Sequence, residues 1–256
     1  MISFRTTRPT WGPLLFIVIV SIWGCAPSAP PTASNWSALR QRMVEEQLLG
    51  HGITDGRTPI RNDRVLKAIG TVLRHEFVPL SVQHEAYDDH PLPIGEGQTI
   101  SQPYIVAYMT ELTDPQSSHR VLEVGTGSGY QAAVLAELVA EVYTIELLPG
   151  LAESAETRLT RLGYGDKVHV RTGDGYLGWP EAAPFDSILV TCGADHVPKP
   201  LFEQLKPGGK LIIPVGPRSA QVMRVVEKGL GGEQRSQDVL PVRFVPLRRS
   251  DGIDDR

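Results

Sequence analysis

The chain has 256 residues, 41% of them hydrophobic and 21% charged, which is enough apolar material for one full core and unlike a disordered or fibrous protein. Its net charge of −4 at pH 7, with no basic stripe, excludes the electrostatic footprint of nucleic-acid binding or of a polybasic membrane surface. Two cysteines, Cys25 and Cys192, leave no disulfide framework.

The first 24 residues differ in kind from the rest. Arg5 and Arg8 precede an apolar run over residues 14–23 that closes on Gly24 and Cys25. That is the layout of a secretory signal, and the run is too short for a comfortable membrane span. Ile22-Trp23-Gly24-Cys25 resembles the lipobox of bacterial lipoproteins, whose cysteine becomes the lipidated first residue, although Trp23 is bulky for its position. Residues 25–36, rich in Pro, Ala and Ser, read as a disordered tether. The expected location is the cell envelope, as a membrane-tethered lipoprotein or in the periplasm, with a lipid on Cys25 as the only membrane contact.

Residues 36–50 place Leu39, Met43, Val44 and Leu48 at helical spacing, with Gly50 and Gly52 as stops. Asn62 is a capping residue ahead of Val65, Leu66 and Ile69, which predicts a second helix over 62–69. Residues 74–79 then end at Pro79. From Tyr87 the text turns polar, and Gly95 and Gly97 read as a loop before a helix over 105–112. Such loops usually carry function. Four of the seven histidines, His51, His75, His84 and His90, lie before Pro91 without ligand spacing on a shared helix. They read as surface or capping residues, and no metal site is expected.

The stretch 121–146 organises everything after it. An apolar strand over 121–124 runs into Gly125, Gly127 and Gly129, then a helix rich in Ala and Leu, then a second apolar stretch closing on Glu146. Glycines let the backbone pass close to a ligand and a helix start offers free N–H groups. An acid about twenty residues beyond the turn can take ribose hydroxyls, so a nucleoside-bearing cofactor is the expected guest. The dinucleotide fingerprint is GxGxxG, whereas here the glycines alternate behind an acid, Glu123-x-Gly125-x-Gly127-x-Gly129. That acid repels a pyrophosphate and suits the ammonium group of S-adenosyl-L-methionine. The bland alternative is a parallel-sheet turn with glycines for packing alone.

Alternation continues with a helix over 150–162, a strand over 167–171, Gly173-Asp174-Gly175, a strand over 185–190 and then Thr191-Cys192-Gly193. A helix over 198–205, a turn over 206–209 and a strand over 210–215 follow, and residues 221–227 and 238–245 should close as an antiparallel pair. The implied fold is α/β, a doubly wound, mostly parallel seven-stranded sheet with helices on both faces and an N-terminal helical segment. The ligand belongs at the carboxyl edge of the strands near the topological switch point, where Gly125, Glu146, Asp174 and Thr191 fall. Cys192 reads as a small buried hydrophobe at a strand end.

Six segments, LPIGEGQTISQPYIVAYMTEL, VLEVGTGSGYQAAVLA, TGDGYLGW, APFDSILVT, LKPGGKLIIPVG and VRFVPL, occur in that order within a resemblance that covers about residues 37–248. Together they resemble the protein-L-isoaspartate O-methyltransferases. The glycine motif is shared with many methyltransferases, while TISQPY and RFVPL are particular to this family. The resemblance implies a class I, Rossmann-like methyltransferase with S-adenosyl-L-methionine as cofactor and isoaspartyl proteins and peptides as substrates; a monomer is expected, although the sequence itself does not give the oligomeric state. It implies that Ser101 is the active-site serine, with Thr99, Ile100, Gln102 and Pro103 shaping the substrate loop. It also assigns Glu123, Gly125, Gly127, Gly129, Glu146, Asp174 and Thr191 to the cofactor, Asp174 near the adenine. The bland alternatives are an N-cap role for Ser101 and a turn role for Asp174.

The implied chemistry is undemanding in one respect. An isoaspartyl side branch ends in an α-carboxylate with a pKa of roughly 3.5, already ionised at neutral pH. Catalysis then rests on alignment and removal of water rather than on a strong base. The departures from the family are the first 35 residues, a polar tail over 249–256, and Gly193-Ala194-Asp195-His196 after the fourth strand. The family is usually cytoplasmic, which is the alternative location. An RNA cytosine methyltransferase, suggested by Thr191-Cys192, is opposed by the acidic balance. A nicotinamide oxidoreductase is opposed by the glycine spacing, and a non-catalytic binding module by the intact Ser101, Gly125, Gly127 and Glu146.

Overall fold

The computed structural model describes residues 33–50 and 57–250. The signal, Cys25, most of the tether, His51 and the last six residues of the tail therefore lie outside the described residues. Helix α1 (Ala33–Met43) starts inside the stretch read as tether, because Trp36 and Leu39 are drawn against the core. A π-helical turn (Val44–Leu48) extends it and buries Leu48. Trp36 stacks on His75 at 4.4 Å, and His75 Nδ1 meets the Tyr87 hydroxyl at 2.7 Å. His75 is thus a core histidine and not the surface or capping residue expected, since a partner 39 positions away in sequence gives no local signal.

Helix α2 (Asp63–Thr71) begins as its cap predicts, with the Asn62 side chain accepting from the amides of Arg64 and Val65. Two 3-10 turns (Arg74–Phe77 and Leu80–Glu85) lead to β1 (Leu92–Gly95) and β2 (Gln98–Ile100). These strands pair as an antiparallel hairpin where the sequence reads as a loop. Its two-residue turn holds Glu96 and Gly97, both at positive φ, the geometry that matches strand twist but is normally marked by Asn-Gly or Asp-Gly. Helix α3 (Pro103–Leu112) follows.

The main sheet contains β3 (Arg120–Val124), β4 (Glu141–Glu146), β5 (Val168–Thr172), β6 (Phe185–Val190), β7 (Leu205–Val215), β8 (Gln221–Lys228) and β9 (Gln234–Val242). Their spatial order is β5-β4-β3-β6-β7-β8-β9. The first five run parallel, and β8 and β9 return antiparallel. Helices α4 (Tyr130–Ala136), α5 (Pro149–Arg161) and α6 (Lys199–Glu203) make the crossovers. The expected turn over 206–209 is absorbed into β7, and α6 is correspondingly short.

The central strands are buried on both faces, which is why they read as unbroken apolar runs. Val121, Val142, Leu189, Ile212 and Met223 face one apolar cluster together with residues of the first four helices. Leu122, Val124, Ile145, Ile188 and Ile213 face the other, closed by Leu201 of α6 and by Tyr176. Strand order reverses at β3, between β4 and β6, so the switch point lies at the carboxyl end of β3.

Candidate functional site

The turn after β3 is held by backbone before any side chain acts. The amides of Gly125 and Thr126 both donate to the Ile145 carbonyl, at 2.8 and 3.2 Å, and Gly129 N donates to Thr126 O at 2.8 Å. Gly125 has φ +101°, and a Cβ there would meet Thr191 Oγ1 at 2.5 Å. The Thr191 hydroxyl in turn shares its proton between the carbonyls of Gly125 (2.7 Å) and Val124 (3.0 Å), locking the turn to β6. Gly129 serves a different need, because a Cβ there would press on Leu159 of α5 at 3.1 Å. Close approach and helix packing therefore each claim a glycine of the motif.

Two carboxyl groups stand beside this turn in unlike surroundings. Glu146 accepts from Gly127 N at 2.8 Å and from Leu148 N at 3.1 Å, one bond to each oxygen, leaving further lone pairs for other donors. Glu123 is wholly buried. Register pairs it with Thr144, whose hydroxyl donates to Oε2 at 2.6 Å and is itself 2.7 Å from the Thr126 hydroxyl. Among the described residues Glu123 Oε1 has no hydrogen-bond partner. Burial pushes the Glu123 carboxyl up to about 8, with the Thr144 bond pulling the other way and the charge of Glu146 adding to the rise. A buried polar atom left bare costs free energy unless a ligand completes it.

These residues floor a cleft that opens to solvent. Gln98, Thr99, Ile100 and Ser101 form one wall, and Val245, Pro246, Leu247 and Arg248 form another. The hairpin lies over the turn, with Ile94 so placed that a Cβ on Gly127 would be 3.3 Å from its Cδ1. The Ser101 hydroxyl makes no hydrogen bond among the described residues, and the N-cap of α3 is Gln102, without a side-chain cap bond. Ser101 is thus not spent on capping. Its carbonyl accepts from Arg74 Nη2 at 2.8 Å.

Not every expected residue reaches the cleft. Gln102 turns away, its Nε2 donating to Asp89 O at 3.0 Å, and Pro103 is the buried first residue of α3. Asp174 Oδ1 accepts from Tyr176 N at 2.9 Å, and Oδ2 accepts from the amide and hydroxyl of Ser250, each at 3.1 Å. Its neighbour Gly175 lines the cleft instead. Cys192 is a buried wall residue whose thiol burial pushes up, far from a reactive thiolate. The sequence reading missed Tyr130, Gln131, Leu147, Leu148 and the wall from Val245 to Arg248. Arg248 is the only cationic side chain among the lining residues. Tyr130 directly follows the last motif glycine, and that position was the available signal.

A family profile described as protein-L-isoaspartate(D-aspartate) O-methyltransferase matches residues 44–252. A protein-L-isoaspartate O-methyltransferase of Opitutus terrae is 58% identical over 211 residues, covering 82% of this chain and 87% of its own. A protein-L-isoaspartate O-methyltransferase 2 of Syntrophobacter fumaroxidans is 52% identical over 246 residues, covering 94% and 98%. Among solved structures, a Plasmodium falciparum protein of the same description, in complex with S-adenosyl-L-homocysteine, superposes with a TM-score of 0.69 at 24% identity, over 82% of this chain and 99% of that one.

Proposed function

We infer the roles of individual residues from a premise that these matches establish: the chain belongs to the protein-L-isoaspartate(D-aspartate) O-methyltransferase family. It transfers a methyl group from S-adenosyl-L-methionine to the free α-carboxylate of L-isoaspartyl residues in damaged proteins and peptides, starting their repair to aspartyl. The observation that carries the cofactor side is Glu123 Oε1, a wholly buried acceptor without a partner at the edge of a glycine cradle. When bound, S-adenosyl-L-methionine supplies a methyl group on a positively charged sulfur, which leaves as a neutral thioether.

Glu123 holds the amino group of the methionine portion. Glu146 spends one lone pair of each oxygen on the amides of Gly127 and Leu148 and offers the others to ribose hydroxyls. Gly125 and Gly127 keep side chains out of the cradle. The Thr191 hydroxyl donates to two carbonyls and so keeps the cradle closed, while its oxygen keeps acceptor lone pairs for the ligand along the cleft wall. Asp174 caps the turn that presents Gly175 and, like Glu146, keeps a lone pair, here on Oδ1, for the cofactor. On the substrate side the Ser101 hydroxyl donates to the isoaspartyl carboxylate and fixes its aim, while Thr99 and Ile100 wall the approach and the hairpin limits water. No residue needs to take a proton, because the nucleophile arrives ionised.

Calorimetric titration with S-adenosyl-L-methionine tests the cofactor assignment. Glu146→Ala should weaken binding by about 1 to 3 kcal/mol, the cost of leaving hydroxyls unpaired in a closed site. Unchanged affinity in that variant would remove Glu146 from the site.

We propose further that Cys25 is the mature N-terminus and carries lipid in the cell envelope. The basic start, the apolar run over 14–23 and the Pro/Ala/Ser stretch after Cys25 support this reading, and two or more acyl chains anchor a protein stably. Intact-mass analysis of the native protein should show a lipidated Cys25 in the membrane fraction. A soluble protein starting at Met1 would overturn it.

A further inference from the structure

Arg74, on the 3-10 turn after α2, is the largest wholly buried side chain of the molecule among the described residues. Its Nε donates to Ala86 O at 2.7 Å and its Nη2 to Ser101 O at 2.8 Å. The guanidinium carbon lies 4.8 Å from the centre of the Tyr130 ring, and among the described residues Nη1 has no hydrogen-bond partner. No carboxylate among the described residues pairs with it. The acid facing it, Asp89, is bound to Arg57 at 2.7 Å. The phenols facing it, Tyr87 and Tyr130, are kept neutral by burial, which raises both above the usual tyrosine value.

A buried guanidinium without a counter-ion is costly, so its charge is not there for stability. Both groups that it touches on the cleft side, Ser101 and Tyr130, line the cleft. The floor of that cleft carries two acids, Glu123 and Glu146, yet the substrate group to be admitted is itself a carboxylate. A cation behind Ser101, left unneutralised by the protein, resolves that conflict. Lysine would not serve equally, since the planar fork reaches two carbonyls while its face rests on an aromatic ring.

We propose that Arg74 is a positioning residue for methyl transfer: it fixes the Ser101 carbonyl, and its uncompensated charge makes the cleft prefer an isoaspartyl carboxylate over a neutral side branch. The proposal rests on Ser101 facing the substrate, as inferred above. Arg74 touches neither substrate nor cofactor and acts through Ser101 and Tyr130.

The test compares an isoaspartyl peptide with the same peptide as its α-carboxamide, which is neutral and serves as a competitive inhibitor. In Arg74→Met, KM for the carboxylate peptide should rise about tenfold or more, while the inhibition constant of the carboxamide and the affinity for S-adenosyl-L-methionine stay within about twofold. Arg74→Lys keeps the charge and loses the fork, so it should retain the preference for carboxylate over carboxamide while kcat falls. A parallel rise in KM and in the carboxamide constant would show a merely structural role and overturn the proposal, as would an unchanged KM in the Met variant. If the Met variant does not fold, Arg74→Lys decides alone: a lost preference or an unchanged kcat overturns the proposal. Ser101→Ala, run alongside, separates the two inferences, because unchanged kcat there removes the serine's role while a lost carboxylate preference in the Met variant still supports the charge.

Discussion

In the floor of the cleft, Glu123, Glu146 and Thr191 stand at or beside the ends of three adjacent parallel strands, each held by a backbone group or a neighbouring hydroxyl. The roof is built differently. The β1–β2 hairpin has three register pairs, and the Ser101 hydroxyl has no partner among the described residues. The floor receives the same ligand in every turnover and can be fixed in advance. The roof must admit protein segments of many sequences, and a short hairpin with few buried contacts belongs to the low-stability end of a fold, where such motion is drawn from. What the roof cannot obtain from a sheet ladder it obtains from a single buried arginine.

The sharpest way to break this contrast is at Glu123. In the free protein burial pushes its carboxyl up to about 8, and a cationic amine binds the ionised form. Binding below pH 8 must therefore release a proton, so affinity for S-adenosyl-L-methionine should fall as pH drops, by up to about tenfold per unit. Glu123→Gln should weaken binding at pH 8 by about 2 to 5 kcal/mol, the loss of one partner of a buried charge pair, and should flatten the pH dependence. Stability should move oppositely. The folded pKa is raised above the ordinary value of 4.5, so the contribution of the protonated group is complete below 4.5 and is lost as pH rises through 8. The glutamine variant should accordingly melt higher than the parent at pH 8. A variant with unchanged cofactor affinity, or a lower melting temperature at that pH, would contradict the assignment of Glu123 as a strained ligand.

A smaller effect is expected in the roof. Ser101→Ala removes one hydrogen bond to a charged group, about 1.5 to 2 kcal/mol, so kcat should fall roughly 10- to 30-fold with cofactor binding intact. Loss of cofactor binding in this variant would merge roof and floor into one unit and end the distinction. A trapped methyl-Ser101 adduct would instead show that the serine is a covalent intermediate.

The same contrast governs what could be read from the sequence. The parallel strands were legible because burial on both faces leaves apolar runs bounded by glycines, as in Val121, Leu122 and Val124 before Gly125. Asn62 announced α2 by its own chemistry. The hairpin was hidden because its turn uses Glu96 and Gly97 and its strands are short and half polar. The first part of β9 was missed because Gln234, Arg235, Ser236 and Gln237 are exposed on an edge strand. At the site, the floor residues followed from spacing, and Tyr130 could have been found from its place after the last motif glycine, whereas the Val245 to Arg248 wall and the engagement of Asp174 by Ser250 arise from contacts distant in sequence. Thr191 was placed at the right edge, but its locking role required the carbonyls of Val124 and Gly125 to be seen beside it.

The most direct measurement is tritiated methyl transfer from S-adenosyl-L-methionine to paired peptides of identical sequence that differ only in an aspartyl or an L-isoaspartyl linkage. Methyl transfer to the isoaspartyl α-carboxylate requires labelling of the isoaspartyl peptide alone, and loss of that label as methanol when mild base cleaves the ester. Equal labelling of both peptides, or base-stable label on either, would contradict it.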